Sequence, residues 1–291
     1  MKKFKLFGFL IVLTTVLVSC TTTKYLSPES EVVPLQSLVD EGDTILLIDA
    51  QKERELITSL LGEDIGSRAK EITIEIIPKS DDYPLESFDY NAVVEGDFPY
   101  FLTNFTLNHF TDYEKVLEDS KSYYRNENTE IGVMHKNMVG ASNKSYLDLL
   151  DKVDSKVKKV DTLTAIEMYD SNLSLYTKKP KTLFDFGIGL NKAMISHFDS
   201  LLLLINENDE NEMLLTATFE VDTETNAKTL DRMIKSGYTG KLKKAGEKLD
   251  FASLRLMFIR DGNIVNILDM PLSDEQVDLL KEKINSSNVG L

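Results

Sequence analysis

The side chains most often used in catalysis do not form a recognisable catalytic pattern in this chain. Ser155 and Lys158 match an S-x-x-K pattern, but the partner motifs of penicillin-recognising enzymes and the G-x-S-x-G elbow of many hydrolases are missing. The three histidines, His109, His135 and His197, are 26 and 62 residues apart, so no H-E-x-x-H pair is available for zinc. The sequence therefore predicts a protein that is not an enzyme, with no nameable catalytic residue.

The segments that superficially resemble cofactor or metal loops lack residues that such loops need. Residues 237–241 read GYTGK, without the spacing and the following hydroxyl of a phosphate-binding loop. Residues 206–211 read NENDEN, without the glycine and the final glutamate of a calcium loop. A single cysteine excludes an internal disulfide and a multi-cysteine zinc site. We expect no metal and no cofactor.

The single cysteine, Cys20, lies where a lipid anchor would be attached. Three lysines within the first five residues precede the uncharged run 6–17, which is shorter than the roughly 20 residues that span a bilayer as a helix. This order is typical of a secretory signal peptide. The exit Leu17-Val18-Ser19-Cys20 resembles the lipobox of bacterial lipoproteins. The resemblance implies cleavage between Ser19 and Cys20, a diacylglyceryl thioether on Cys20 and acylation, for example with palmitate.

The charge of the chain bears on how such an anchor would work. With 33 basic and 48 acidic side chains the formal net charge is −15, which argues against a broad nucleic-acid-binding face. Anionic headgroups would repel such a body, so we expect acyl chains to provide the membrane attachment. Residues 20–43, the tether, contain two prolines and no sustained periodicity. Thr21 after the cysteine is typical of export to the outer membrane in Gram-negative systems.

The remaining residues predict an α+β fold with mostly antiparallel sheets and helices on one face. Apolar runs predict strands at 44–49, 72–78, 90–95, 122–125, 131–135, 138–141, 173–176, 201–205, 214–221, 254–260 and 264–268. Helical patterns and capping residues predict helices at 51–61, 99–109, 145–157, 180–190 and 225–235, and a last helix after Ser273.

The order of these elements indicates an internal duplication. Residues 44–158 and 159–291 each read strand, helix, two strands, helix, strands, helix, with corresponding elements about 125 residues apart. We interpret the two segments as repeated α+β units joined near residues 158–170.

The segment Val93-Val94-Glu95-Gly96-Asp97-Phe98-Pro99 is a strand that runs into glycine, an aromatic residue, proline and a predicted helix. With the lipobox upstream, this arrangement resembles uncharacterised envelope lipoproteins of spirochaetes. The resemblance implies location and fold, and no activity.

Two groups of side chains are candidate binding surfaces. Eleven of the 25 aromatic residues lie between Tyr83 and Tyr124, and four of them could face a ligand groove: Phe98, Tyr100, Phe101 and Phe105. The helical spacing favours a hydrophobic core instead. Lysines at 152–159, 178–181 and 235–248 could contact anionic lipid or an acidic partner, although lysine also suits helix ends.

Three function classes remain open. The sequence favours a lipid-anchored, non-enzymatic protein of the cell envelope that binds an envelope protein or has a structural role. A carrier of a lipid or other hydrophobic ligand would have an apolar cavity behind residues 83–124. An enzyme with a carboxylate-based site would have a cleft with two or more acidic groups of perturbed ionisation.

Overall fold

The fold confirms the predicted α+β class. The computed structural model describes residues 34–82, 84–109, 112–135, 137–155, 157–183, 190, 192–244, 246, 250–273, 275–278 and 281–282. The predicted signal peptide, Ser19 and Cys20 lie outside these residues. Within them, a twelve-stranded antiparallel sheet is covered by helices.

The sheet has the strand order β11-β12-β10-β9-β8-β1-β2-β3-β7-β6-β5-β4. The strands are β1 (Thr44–Asp49), β2 (Ala69–Pro78), β3 (Phe88–Gly96), β4 (Glu114–Glu118), β5 (Lys121–Arg125), β6 (Glu130–Val133), β7 (Met138–Ser142), β8 (Leu173–Lys178), β9 (Phe198–Glu207), β10 (Met213–Val221), β11 (Phe258–Asp261) and β12 (Ile264–Pro271).

The helices vary widely in length. They are α1 (Pro34–Leu38), α2 (Arg54–Gly66), α3 (Tyr100–His109), α4 (Tyr146–Asp154), α5 (Thr162–Asp170), α6 (Lys192–Ile195), α7 (Glu224–Lys244) and α8 (Phe251–Met257). Ser145 caps α4, as the sequence predicts, by accepting a hydrogen bond from the Asp148 amide. No helix among the described residues is long and apolar enough to cross a membrane.

The middle of the sheet is buried on both faces, so the expectation of helices on one face is wrong. Ile45 and Leu47 of β1 belong to one core cluster, and Leu46 and Ile48 to another. Side chains of α1, α4 and α5 cover the first face, whereas α2 and α7 contribute to the second. The sequence of β1, TILLID, explains this burial, because neighbouring residues of a strand point to opposite faces and four consecutive apolar residues therefore suit burial on both.

Two predicted elements differ from the structure. Residues 254–257 belong to helix α8 and not to a strand, because the Asp250 side chain accepts a hydrogen bond from the Ala252 amide and caps a helix there. Of the predicted helix 180–190, residues 180–183 are not helical and 184–189 lie outside the described residues.

The segment predicted to connect the two halves contains a helix, α5. The Asp161 carboxylate accepts hydrogen bonds from the amides of Leu163 and Thr164, both at 3.0 Å. These bonds satisfy two amides that have no partner within the helix and therefore explain why the helix begins there.

The two predicted repeats share one sheet. Strands β1–β7 lie on one side of the β1–β8 pair and strands β8–β12 on the other, and the described residues all belong to one compact unit. The duplication itself stays a prediction.

Candidate functional site

The end of the tether is fastened to the fold by α1. Leu35 and Leu38 are fully buried in the cluster that includes Leu149 of α4. The Lys159 amide donates a hydrogen bond of 2.7 Å to the Gln36 carbonyl, and Nε2 of Gln36 donates to the Val160 carbonyl at 3.2 Å. The tether therefore reaches the sheet at β1, in its centre.

A charged cluster lies directly beneath this attachment and consists of Asp40, Asp43, Glu75, Lys152 and Lys159. Glu75 of β2 has no exposed surface. Its Oε2 accepts a 2.6 Å hydrogen bond from Nδ2 of Asn91, the residue directly opposite on β3. Its Oε1 accepts a 2.7 Å bond from Nζ of Lys152. The buried carboxylate thus has both a neutral and a charged partner.

Asp40 completes the pairing on the tether side of the cluster. Its carboxylate oxygens lie 2.8 Å from Nζ of Lys152 and 2.6 Å from Nζ of Lys159. Burial alone would raise the pKa of Asp40, but the hydrogen bonds from the two lysines outweigh it and hold the pKa below its ordinary value. Asp40 is therefore expected to remain ionised at neutral pH.

Asp43 has the opposite behaviour. The pKa of Asp43 is raised to about 7, first by burial and then by the neighbouring Glu75 carboxylate, while Lys152 opposes the change. Oxygens from Asp40, Asp43 and Glu75 all lie within 4.8 Å of one another. Two carboxylates this close, one of them fully buried, favour holding a proton on Asp43.

The cluster has ligand chemistry suited to a divalent cation, since three carboxylates converge in it. Lys152 already supplies positive charge to two of them, at 2.7 Å from Glu75 and 2.8 Å from Asp40. A cation would have to displace this ammonium group. In the structure the cluster is an ion network in which Lys152 of α4 links Asp40 of the tether to Glu75 of the sheet.

The three candidate aromatic residues whose side chains are described differ in exposure and do not form a common ligand-binding face. Phe98 is buried, and a Cβ on Gly96 would collide with the Arg68 carbonyl oxygen and lie only 2.6 Å from the Phe98 ring, so the glycine of the 93–99 motif makes room for both. Tyr100 and Phe101 are exposed, at 61% and 76%, so the expectation of a core position is wrong for Phe101. The side chain of Phe105 lies outside the described residues. Tyr123 and Tyr124 are buried as core residues.

The residues considered for catalysis have structural partners. The Ser155 hydroxyl donates to the Lys152 carbonyl at 2.7 Å, as at an ordinary helix end. His135 and His197 pair with Asp154 and Asp222 at the surface, each at 2.8 Å. The side chain of His109 lies outside the described residues.

The lysine groups divide between the cluster and the surface. Lys152 and Lys159 belong to the charged cluster, whereas Lys179 pairs with Glu41 at 3.1 Å and Lys235 with Asp231 at 2.7 Å. The described lysines of the three groups therefore serve different elements and do not form one basic patch.

No protein-family model and no curated protein matches this chain. Solved structures of TP0453 from the spirochaete Treponema pallidum do match. Crystal form I has a TM-score of 0.58 and 14% identity, covering 89% of this chain and 98% of that chain. Crystal form IV has a TM-score of 0.57 and 15% identity, covering 89% and 99%. At this level of identity, the likeness shows a shared fold.

Proposed function

We propose that the protein is a lipid-anchored, non-enzymatic component of a bacterial cell envelope that binds an envelope protein or supports envelope structure. The observation that carries this proposal is the path of the chain. A lipobox-like segment ends at Cys20, and 14 residues later α1 begins. Its buried leucines pack in the same core cluster as Ile45 and Leu47 of the central strand, and Asp40, just after α1, pairs with Lys159. An anchor at Cys20 would thus be connected to the most buried part of the sheet.

The shared fold supports the proposed location. TP0453 is an envelope protein of a spirochaete, and the match covers 89% of this chain. The residues 93–99, which resemble spirochaete lipoproteins, lie at the end of strand β3 and lead into helix α3, as that motif predicts. The resemblance of Thr21 to sorting signals favours the outer membrane.

The charged cluster does not favour the enzyme alternative. The pKa of Asp43, near 7, suits a general acid or base. Its neighbour Glu75, however, is fully enclosed, and both Glu75 oxygens have partners. A substrate would therefore have no access to this carboxylate. We assign the cluster a structural role.

The anchor is tested by comparing Cys20→Ala with Thr21→Ala, a neighbouring change that leaves the thiol in place. We expect wild type and Thr21→Ala to incorporate labelled palmitate and to sediment with membranes in high salt. Cys20→Ala should do neither and should keep the thermal unfolding midpoint of the wild type. Retention of Cys20→Ala in salt-washed membranes would contradict lipid anchoring.

The binding role is tested separately by native mass spectrometry of wild-type protein extracted gently from its own membranes. We expect a stoichiometric envelope protein to remain bound. A bare monomeric chain would contradict the partner-binding role and leave the anchor unaffected.

A further inference from the structure

A surface cleft lies between the second half of α7 and the end of β12. Its volume is about 380 Å³, within the range of small-molecule sites. Ile234 and Met270 are buried at its base. Tyr238 also lines it and is held by an edge-on contact with Phe258, with ring centroids 5.5 Å apart. The cleft therefore has a fixed, largely apolar floor.

Glycines in α7 keep this cleft open. Gly237 and Gly240 both line it, although glycine inside a helix costs about 0.5–1 kcal/mol relative to alanine. Gly240 does not have the positive φ that would require glycine, and a Cβ placed there would meet no atom within 4 Å. Neither backbone conformation nor close packing explains this glycine, whereas an open cleft does.

Two lysines give the cleft a positive charge. Lys241 and Lys244 line it, in a chain with a net charge of −15. Partial burial lowers the pKa of Lys241, with Glu275 opposing the change, and within the described residues Lys241 has neither an ion pair nor a hydrogen bond. Lysine at a helix C-terminus also interacts with the helix dipole, but this explains Lys243 equally well and accounts for neither the cleft nor its glycines.

We propose that this cleft binds an anionic amphiphile. Its carboxylate or phosphate headgroup pairs with Lys241 and Lys244, and its apolar tail lies along Ile234, Tyr238 and Met270. The pairing gives the exposed ammonium groups of Lys241 and Lys244 an ionic partner, and the tail covers the apolar floor.

The test uses the full-length chain carrying Cys20→Ala, which needs no detergent. Decanoate and decyl phosphate are titrated below their micellar concentrations, with decanol and inorganic phosphate as probes of the tail and the anion alone. The methyl NMR signal of Met270 reports occupancy of the cleft. We expect decanoate and decyl phosphate to shift the Met270 signal until it saturates. Decanol and inorganic phosphate should each bind at least about tenfold more weakly.

Three variants locate the binding. Gly240→Leu should fill the cleft and weaken binding of decanoate by about tenfold or more, without loss of thermal stability. Lys241→Gln should weaken the binding of decanoate by about tenfold and leave the binding of decanol unchanged. Lys243→Gln, a change on the same helix outside the cleft lining, should have little effect.

The proposal is overturned if the Met270 signal does not respond, if decanol binds as tightly as decanoate, or if Lys243→Gln weakens binding as much as Lys241→Gln. Vesicles separate two sources of the ligand. A Met270 shift with phosphatidylglycerol vesicles but not with phosphatidylcholine vesicles identifies a bilayer headgroup. Response to the free amphiphiles alone identifies a soluble ligand.

Discussion

Glu75 is the residue on which the charged cluster depends, because it is a carboxylate with no exposed surface. Removing an ionised group from water is costly unless hydrogen bonds and an opposite charge replace the lost hydration. Asn91 and Lys152 provide these at 2.6 and 2.7 Å. Lys152 also pairs with Asp40, so one ammonium group connects a buried strand residue to the tether.

Lys152→Met should therefore destabilise the protein by about 2–4 kcal/mol, since it leaves the Glu75 carboxylate without its cation. Lys144→Met is the matched control, because Lys144 is largely exposed and lies 3.9 Å from Asp89. That change should alter stability by about 0.5 kcal/mol or less. Urea unfolding measures both, and equal effects would show that the cluster does not stabilise the fold.

The ionisation of Asp43 predicts a pH dependence of stability. Its pKa is about 7 in the fold, against an ordinary value of 3.8. A raised pKa means that the folded state favours the protonated acid, so this contribution is complete below about pH 4 and is lost as pH rises through 7. Asp43→Asn should reduce the loss of thermal stability between pH 5 and 8, as measured by circular dichroism.

Asp40→Asn provides the control of opposite sign. The pKa of Asp40 is lowered in the fold, so its contribution is present at neutral pH and is lost on acidification. The variant should be less stable than wild type at pH 7, and the difference should shrink towards pH 3. An Asp43→Asn profile parallel to the wild type would contradict the assignment of the raised pKa.

At the scale of elements, two helical glycines, Gly62 and Gly240, are present for different structural reasons. Gly62 interrupts α2 with φ +75°, so the sequence-based expectation that the helix ends there identified a real break, although helical residues continue to Gly66. Gly240 has no such conformation. The positive φ of Gly62 favours glycine there, whereas Gly240 lines the cleft and has an ordinary helical backbone.

Alanine substitutions distinguish these two glycines. Gly62→Ala should destabilise the protein by about 1 kcal/mol, because a side chain is disfavoured at positive φ. Gly240→Ala should stabilise it by about 0.5–1 kcal/mol, because alanine is the better helix former and has room there. Chemical denaturation would show opposite shifts of the midpoint; shifts of the same sign would refute this distinction.

Local patterns predicted most strands, and competing local signals explain the errors. The alternating residues of 254–260 indicate a strand, but the Asp250 cap directs 251–257 into a helix. The strand β4 was missed because its sequence, EKVLE, is mostly exposed at the edge of the sheet and has little apolar periodicity. The errors therefore arose at a helix cap and at an exposed edge strand, where the hydrophobic pattern does not indicate the structure.

At the scale of the whole molecule, the charged cluster could not be predicted, because it depends on strand order. Glu75 and Lys152 are 77 residues apart, and Lys159 and Asp40 are 119 apart. No short-range spacing relates them. The burial of both faces of β1 did have a signal, since its apolar residues are consecutive, and the expectation of helices on one face overlooked it. The cleft likewise brings together distant parts of the chain.

The pairing of β1 with β8 predicts that both halves unfold together. Ile48 is fully buried in the core cluster that extends from α2 to β12, so Ile48→Ala should cost about 2–5 kcal/mol. Under conditions where exchange proceeds by global opening, amide hydrogen exchange in β3 and β10 should accelerate by the same factor. The control Ile259→Ala, on the edge strand β11 and 41% exposed, should change exchange in both strands far less. Acceleration confined to β3 would show instead that the two halves are independent folding units, in spite of the sheet that they share.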